Sequence, residues 1–342
     1  MSATTPRLLL AGSPPAADPG LTMGAFLQTM QERAPGVELR WAATGDEFLD
    51  ALAEADAAIP GPICRGDDAM FERSPHLRVA ATFGSGIDFI DVAAATRHAV
   101  LVTNNAGTAP WGVVEHIVAL MICLNKNLVA GDRALRAGPW VPPMSLMGHE
   151  LPGRTLSIIG LGAIGKKLAQ LCSSGFDMDV VAYSPRADAT TAASVGARLV
   201  PTLDDALRSG DFVSLNCPVT PETYHMIGWR ELSLMKRSAF LVQVARGQLI
   251  VQDDLVRALR EGVIAGAGLD SYEPEPPDTS HPLFHLDNVI TTPHIGGVTE
   301  ETLLRVGHGT ADSLVEVFEG RRPTRLANPA VWEAYQRRWK LV

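Results

Sequence analysis

Leu156-Ser157-Ile158-Ile159-Gly160-Leu161-Gly162-Ala163-Ile164-Gly165 sets the architecture of this chain. An apolar run with the look of a buried strand ends in Gly160-x-Gly162-x-x-Gly165, and a helix-like segment, Lys166 to Cys172, follows. Gly160 permits a sharp turn, Gly162 lets backbone approach a pyrophosphate, and Gly165 lets the helix lie close to the strand. The free N–H groups and dipole at the helix start favour phosphate charge. A second strand pattern, Val180 to Tyr183, completes the expected dinucleotide-binding unit.

The same alternation continues on both sides. Downstream, Phe212 to Leu215, Phe240 to Val244, Ile264 to Leu269 and Val289 to Thr292 read as strands, with Leu203 to Arg208 and Asp253 to Arg260 helical between them. Upstream, Leu8 to Leu10, Val37 to Leu39, Ala57 to Ile59, Leu77 to Thr82 and Val100 to Val102 read as strands, and Met23 to Arg33 and Glu47 to Ala53 as helices. Strands alternating with helices predict parallel sheets covered on both faces. Trp111 to Leu135 holds apolar residues at helical spacing without an internal proline and reads as one long crossover helix. Glu300 to Phe318 reads as an amphipathic helix capped by Thr299, returning to the first domain. The expected fold is therefore α/β, with two Rossmann-like or flavodoxin-like domains: 1–104 completed by 296–342, and 105–295.

The net charge of −9 argues against nucleic acid or an anionic membrane as main partner. Cys64, Cys123, Cys172 and Cys217 are widely spread without CxxC spacing, so no metal site is expected and the thiols suit a reducing compartment. The short apolar run from Leu8 to Ala11 reads as a first strand, not a signal segment. Ile117 to Leu124 is too short to span a bilayer, and a cytoplasmic location is expected.

Further segments sharpen the reading. They are Val244-Ala245-Arg246-Gly247, Gly266 to Pro276 with Asp270, Glu273 and Glu275, and Asn288 to Gly297 with Pro293-His294. In this order after the glycine turn, and with Thr82 to Asp88 and Asn104 to Glu115, they closely resemble the D-isomer-specific 2-hydroxyacid dehydrogenases, including glyoxylate and hydroxypyruvate reductases, from about Leu77 to Gly320. The resemblance implies an active site in the cleft between the domains, a small 2-keto or 2-hydroxy acid as substrate, and a homodimer.

Oxidising a 2-hydroxy acid needs a base within reach of its hydroxyl, and histidine titrates near neutrality. His294 is the candidate. A carboxylate beside it would stabilise the imidazolium; the resemblance puts Glu275 there, with Glu273 as rival. Arg246 would bind the substrate carboxylate and polarise the carbonyl, since its planar fork matches that anion. The resemblance adds the N–H groups of Ser85 and Gly86 for the other carboxylate oxygens, and Asp270 near the nicotinamide. It places the cofactor against Thr108, Gly160, Gly162, Ala163, Ile164, Gly165, Ser184, Arg186, Cys217, Pro218, Thr223, Val244, Ala245, Asp270, His294, Gly296 and Gly297. The other histidines, such as His116, His149 and His308, read as structural or surface groups.

Two departures bear on specificity. NAD-binding folds usually carry an acid about 20 residues past the glycine turn for the ribose 2′-hydroxyl. Here Tyr183 is followed by Ser184-Pro185-Arg186, with no acid before Asp188. Arg186 would pair with a 2′-phosphate, so NADP(H) is expected in preference to NAD(H). Glu275 stands where formate dehydrogenases carry glutamine, so that activity is not expected, and the short stretch after Asn328 is expected to leave no room for an appended regulatory domain. Trp111 would either border the substrate pocket or pack at a helix start. Phosphite-type dehydrogenases and dinucleotide-sensing corepressor-like proteins share these motifs and stay open as alternatives.

Overall fold

A computed structural model describes residues 5–14, 19–108 and 110–341. The chain divides into two compact units, Met1–Ala109 with Val298–Val342, and Pro110–Gly297.

The first unit holds a parallel sheet of β1 (Arg7–Ala11), β2 (Glu38–Ala42), β3 (Ala57–Ile59), β4 (Val79–Ala81) and β5 (Leu101–Thr103), in the order β2-β1-β3-β4-β5. Alternate residues of each strand serve opposite faces. Leu9 packs with Phe48 and Leu52, whereas Leu8 and Leu10 pack with Phe26 and Tyr335. Helix Glu300–Phe318 forms as its pattern predicts, with the Thr299 hydroxyl accepting from the Thr302 N–H. Its Gly307 allows close approach to helix Gly20–Arg33, because a Cβ there would overlap Thr22 O.

The second unit holds a larger parallel sheet: β6 (Thr155–Ile159), β7 (Asp179–Tyr183), β8 (Ala197–Leu199), β9 (Phe212–Leu215), β10 (Phe240–Gln243), β11 (Gly266–Leu269) and β12 (Val289–Thr291). Their order is β12-β11-β10-β9-β6-β7-β8. Strand succession reverses between β6 and β9, and in open α/β sheets ligands bind beyond the carboxyl ends at such a point. The glycine turn lies there. Gly160 has φ +101°, and a Cβ on it would come within 2.8 Å of the Asn216 and Cys217 backbone after β9. Helix Ala163–Gly175 then begins, burying Gly165, Leu168, Ala169 and Cys172 as one stripe. Burial pushes the Cys172 thiol up to about 12 and the Cys217 thiol up to about 11, so both stay protonated at neutral pH. Cys123 and Cys217 are half-buried, unlike Cys64 and Cys172.

The long crossover is not one helix. Pro110–Asn125 and Leu128–Ala137 are separate helices bent by 61°. Asn127 sits between them at φ +53°, a left-handed conformation that asparagine tolerates. Its side-chain amide donates to Leu146 O and Met147 O. The sequence pattern missed this break because it lies in one polar side chain, not in a proline. Among the described residues no single helix is long and apolar enough to cross a membrane. The strand β8 and the short helices Asp68–Glu72 and Val92–Arg97 were also beyond the sequence pattern.

Candidate active site

Arg246, Glu275 and His294 follow three adjacent strands of the second sheet, β10, β11 and β12. Parallel strands project the loops at their carboxyl ends to the same side, which brings residues remote in sequence together. The His294 Nδ1–H donates to Glu275 Oε2 at 2.8 Å. Both side chains are partly exposed, 45% and 36%. With Nδ1 committed to the carboxylate, Nε2 is the nitrogen that can exchange a proton with a substrate. The other oxygen of Glu275, Oε1, accepts from the Tyr272 N–H at 2.9 Å, so both carboxylate oxygens are fixed.

His294 itself is held in the left-handed region at φ +55°. A non-glycine residue stays there only when its surroundings enforce it. Asp270 supplies that enforcement. Its buried carboxylate accepts from the N–H groups of Ile295 (2.9 Å) and Gly296 (2.8 Å), the two residues after His294. It also accepts from the Thr292 hydroxyl at 2.6 Å. That leaves the Thr292 oxygen free to accept from His116 Nε2–H at 2.9 Å. His116 therefore belongs to the network behind His294. Sequence reasoning assigned it no motif, and no local signal marks it.

The Arg246 guanidinium donates through Nη1 to Ala245 O at 2.8 Å. Gly247, next in the chain, lies on the backbone of Tyr272, where a Cβ would overlap the Tyr272 carbonyl carbon. The Arg246 turn and the Glu275 loop thus pack directly together. Tyr272 donates its hydroxyl to Leu269 O and Thr292 O at 3.1 and 2.9 Å. Burial, with the nearby Asp270 charge, pushes that phenol up to about 12, so it remains a neutral donor.

The residues expected at the cofactor, Thr108 apart, also lie in this unit. Gly165 approaches Gly160 O so closely that a Cβ would overlap it, while Gly162 is exposed with open space at its Cβ position. That cradle fits a pyrophosphate, with Ala163 and Ile164 in the first helical turn. The Gly160 N–H donates to Tyr183 O, which brings Ser184 and exposed Arg186 beside the turn. Asp188 is already used: its carboxylate accepts from the Thr191 N–H and hydroxyl as a helix cap. Beyond β9, Thr223 donates its hydroxyl to Pro218 O at 2.7 Å, closing the loop that starts at Cys217. A Cβ on Gly296 would lie 2.5 Å from Val244 Cγ1, so the loops carrying Val244, Ala245, Gly296 and Gly297 are in contact.

Ser85, Gly86 and Thr108 lie in the other unit. Ser85 O accepts from Asn104 Nδ2 at 2.8 Å, in the turn after β4. The Thr108 hydroxyl donates to Asn105 O, and Thr108 O accepts from Arg305 Nε. Trp111, in the second unit, carries the Lys167 ammonium 4.4 Å above its ring centre.

The sequence profile of the D-isomer specific 2-hydroxyacid dehydrogenase NAD-binding domain matches residues 118–296. The chain belongs to that family. A glyoxylate reductase of Korarchaeum cryptofilum is 39% identical over 287 residues, covering 83% of this chain and 86% of that protein. A second, from Pyrococcus furiosus, is 37% identical over 292 residues, 84% and 86% of the two chains. Among solved structures, the TT0316 protein of Thermus thermophilus superposes with a TM-score of 0.81 at 32% identity, over 94% of this chain and 99% of that one. The holo form of Rhodotorula graminis D-mandelate dehydrogenase does so with 0.82 at 28% identity, over 94% and 97%. As a D-2-hydroxyacid dehydrogenase, the chain is an oxidoreductase that uses a nicotinamide dinucleotide to interconvert a 2-keto acid and a D-2-hydroxy acid.

Proposed function

We propose that this dehydrogenase reduces a small 2-keto acid of the glyoxylate class, with Arg246, Glu275 and His294 as its catalytic residues. The observation that carries the reading is the His294–Glu275 hydrogen bond of 2.8 Å, which commits Nδ1 and leaves Nε2 for the substrate. When bound, the nicotinamide supplies or accepts the hydride. In reduction, protonated His294 gives the Nε2 proton to the ketone oxygen as that oxygen gains charge, and Glu275 stabilises the imidazolium before the transfer. In oxidation the same nitrogen takes the hydroxyl proton. Arg246 binds the substrate carboxylate through its fork and polarises the carbonyl; the amides of Ser85 and Gly86 are proposed for the remaining carboxylate oxygens.

For the cofactor we propose NADP(H). With Asp188 consumed as a helix cap, the end of β7 offers the ribose the Ser184 hydroxyl and the Arg186 guanidinium. Arg186 also lies near Glu222: the Thr220 hydroxyl bond and then the Glu222 N–H hold that carboxyl below its usual range, with the Arg186 charge as the smallest contribution. A 2′-phosphate would compete for that guanidinium. The test is loss of reduced-nicotinamide absorbance with NADPH and NADH against glyoxylate, hydroxypyruvate, pyruvate and phenylpyruvate. Arg186→Gln is expected to raise the KM for NADPH about tenfold, the loss of one charge-assisted hydrogen bond, and to leave that for NADH nearly unchanged. An equal change for both cofactors would reject the assignment. Silence with every acid would move the substrate toward phosphite or the function toward dinucleotide sensing.

A homodimer is proposed from helix Leu128–Ala137 and its continuation. That helix buries none of its residues within the protomer. Leu128, Leu135, Trp140, Met144 and Met147 are all exposed, Trp140 and Met144 to 75%. So many neighbouring apolar side chains left in water mark an association surface. Sedimentation should show a dimer for the wild type and a monomer for Leu135→Glu with Trp140→Glu; a monomeric wild type would refute the proposal.

A further inference from the structure

Glu273, the rival carboxylate of the Glu275 loop, has a partner of its own. Its Oε2 lies 2.7 Å from His225 Nε2, and its Oε1 accepts from the Tyr224 hydroxyl at 3.2 Å. The rings of Tyr224 and His225 stack with centres 3.9 Å apart, so both donors reach the carboxylate from one side. The Glu273 carbonyl accepts in turn from the Gln252 side chain. On the other flank, the His225 N–H donates to Gln248 O at 2.8 Å, and the Ile227 N–H donates to Leu249 O. Gln248 is two residues past Arg246, and Glu275 is two residues past Glu273.

We infer that the His225–Glu273 pair is a positioning device that fixes the Arg246 turn and the Glu275 loop relative to one another. The inference rests on the reading of His294 and Glu275 as the acid–base couple. Three segments meet at the pair: 217–226, which carries Cys217, Pro218 and Thr223; 246–252, which carries Arg246; and 272–276, which carries Glu275. The Glu275 loop leaves the sheet after β11 and is exposed at Pro274, Glu275 and Pro276. Its anchors are the Tyr272 backbone on Gly247 and, through Glu273, the His225 side chain and Gln252. Loss of the Glu273 anchor frees the loop to swing Glu275 off His294 Nδ1. Catalytic groups displaced by about an ångström lose rate steeply. A hydrogen-bonded side-chain pair at 36% and 30% exposure contributes little to global stability, so its effect is read in turnover.

The backbone dictates the choice of variants. His225 stands at φ +52°, where asparagine is tolerated and alanine is strained. His225→Asn therefore removes the side-chain bond without disturbing the turn. Using the acid of the panel that turns over fastest, His225→Asn and Glu273→Ala should each lower kcat about tenfold. The thermal midpoint and the affinity for reduced cofactor, followed by its fluorescence, should stay near wild type. Glu273→Gln keeps an oxygen that accepts from His225 and should recover most of the loss. Because both residues serve one interaction, the double variant should fall no further than either single one. Wild-type kcat in both singles, with His294→Asn inactive, would overturn the inference, and so would a loss that multiplies in the double variant. Turnover surviving in His294→Asn would instead reject the acid–base couple itself.

Discussion

His294→Asn should lower kcat by about 10²–10⁴-fold, the range expected when a positioned general acid–base group is lost. Asparagine is the informative replacement because position 294 lies at φ +55°. Alanine would strain the backbone and could shift Ile295 and Gly296, whose N–H groups are gripped by Asp270. Asparagine keeps the turn, and its amide has no proton to exchange at neutral pH. Glu275 would retain its bond from Tyr272 and lose the one from the imidazole. Cofactor affinity, followed by nicotinamide fluorescence, should therefore hold while single-turnover reduction collapses. A kcat within about threefold of wild type would show that the proton comes from elsewhere.

Arg246→Gln should lower kcat/KM for a 2-keto acid by about 10²–10⁴-fold, the cost of two charge-assisted hydrogen bonds at roughly 1.5–3 kcal/mol each. The loss should divide between the parameters. KM rises because the carboxylate loses its fork, and kcat falls because the carbonyl is less polarised. Arg246→Lys should lie in between, since a point charge attracts the carboxylate without holding its plane. The decisive control is a keto-acid amide, which lacks the anion. On the amide Arg246→Gln should lose much less than on the acid, since only the carbonyl polarisation is missing there and the carboxylate fork no longer counts. If the variant were as impaired on the amide as on the acid, Arg246 would be serving the fold through its bond to Ala245 O, and not the carboxylate.

Much of the architecture was legible in the sequence because its signals are local. The glycine turn, the apolar run before it and the Thr299 cap each lie within a few residues, and each forms as its pattern predicts. The helix break at Asn127 was not legible, since it depends on a side chain reaching carbonyls about 20 residues away. The pairing of His294 was legible only to a choice of two. Glu273 and Glu275 are both acids in one proline-rich turn, and their spacing does not say which faces His294. The folded loop separates them by giving Glu273 to His225 and Glu275 to His294. Least visible was the support beneath the site. His116, Thr292 and the Asp270–Tyr272 stretch come from three separate parts of the chain, and chain order holds no trace of the hydrogen bonds between them.

His294 follows β12, a three-residue strand at the border of the larger sheet, with β11 as its neighbour on one side. Border strands open more readily than central ones. The glycine cradle, by contrast, follows β6, which has strands on both sides. Mild denaturant should therefore silence the enzyme before it melts: proton transfer would fail first, dinucleotide binding next and the helical signal last. In such a molecule, residual cofactor binding is a poor gauge of working enzyme, and amide exchange at Thr291 and Thr292 would be a better one.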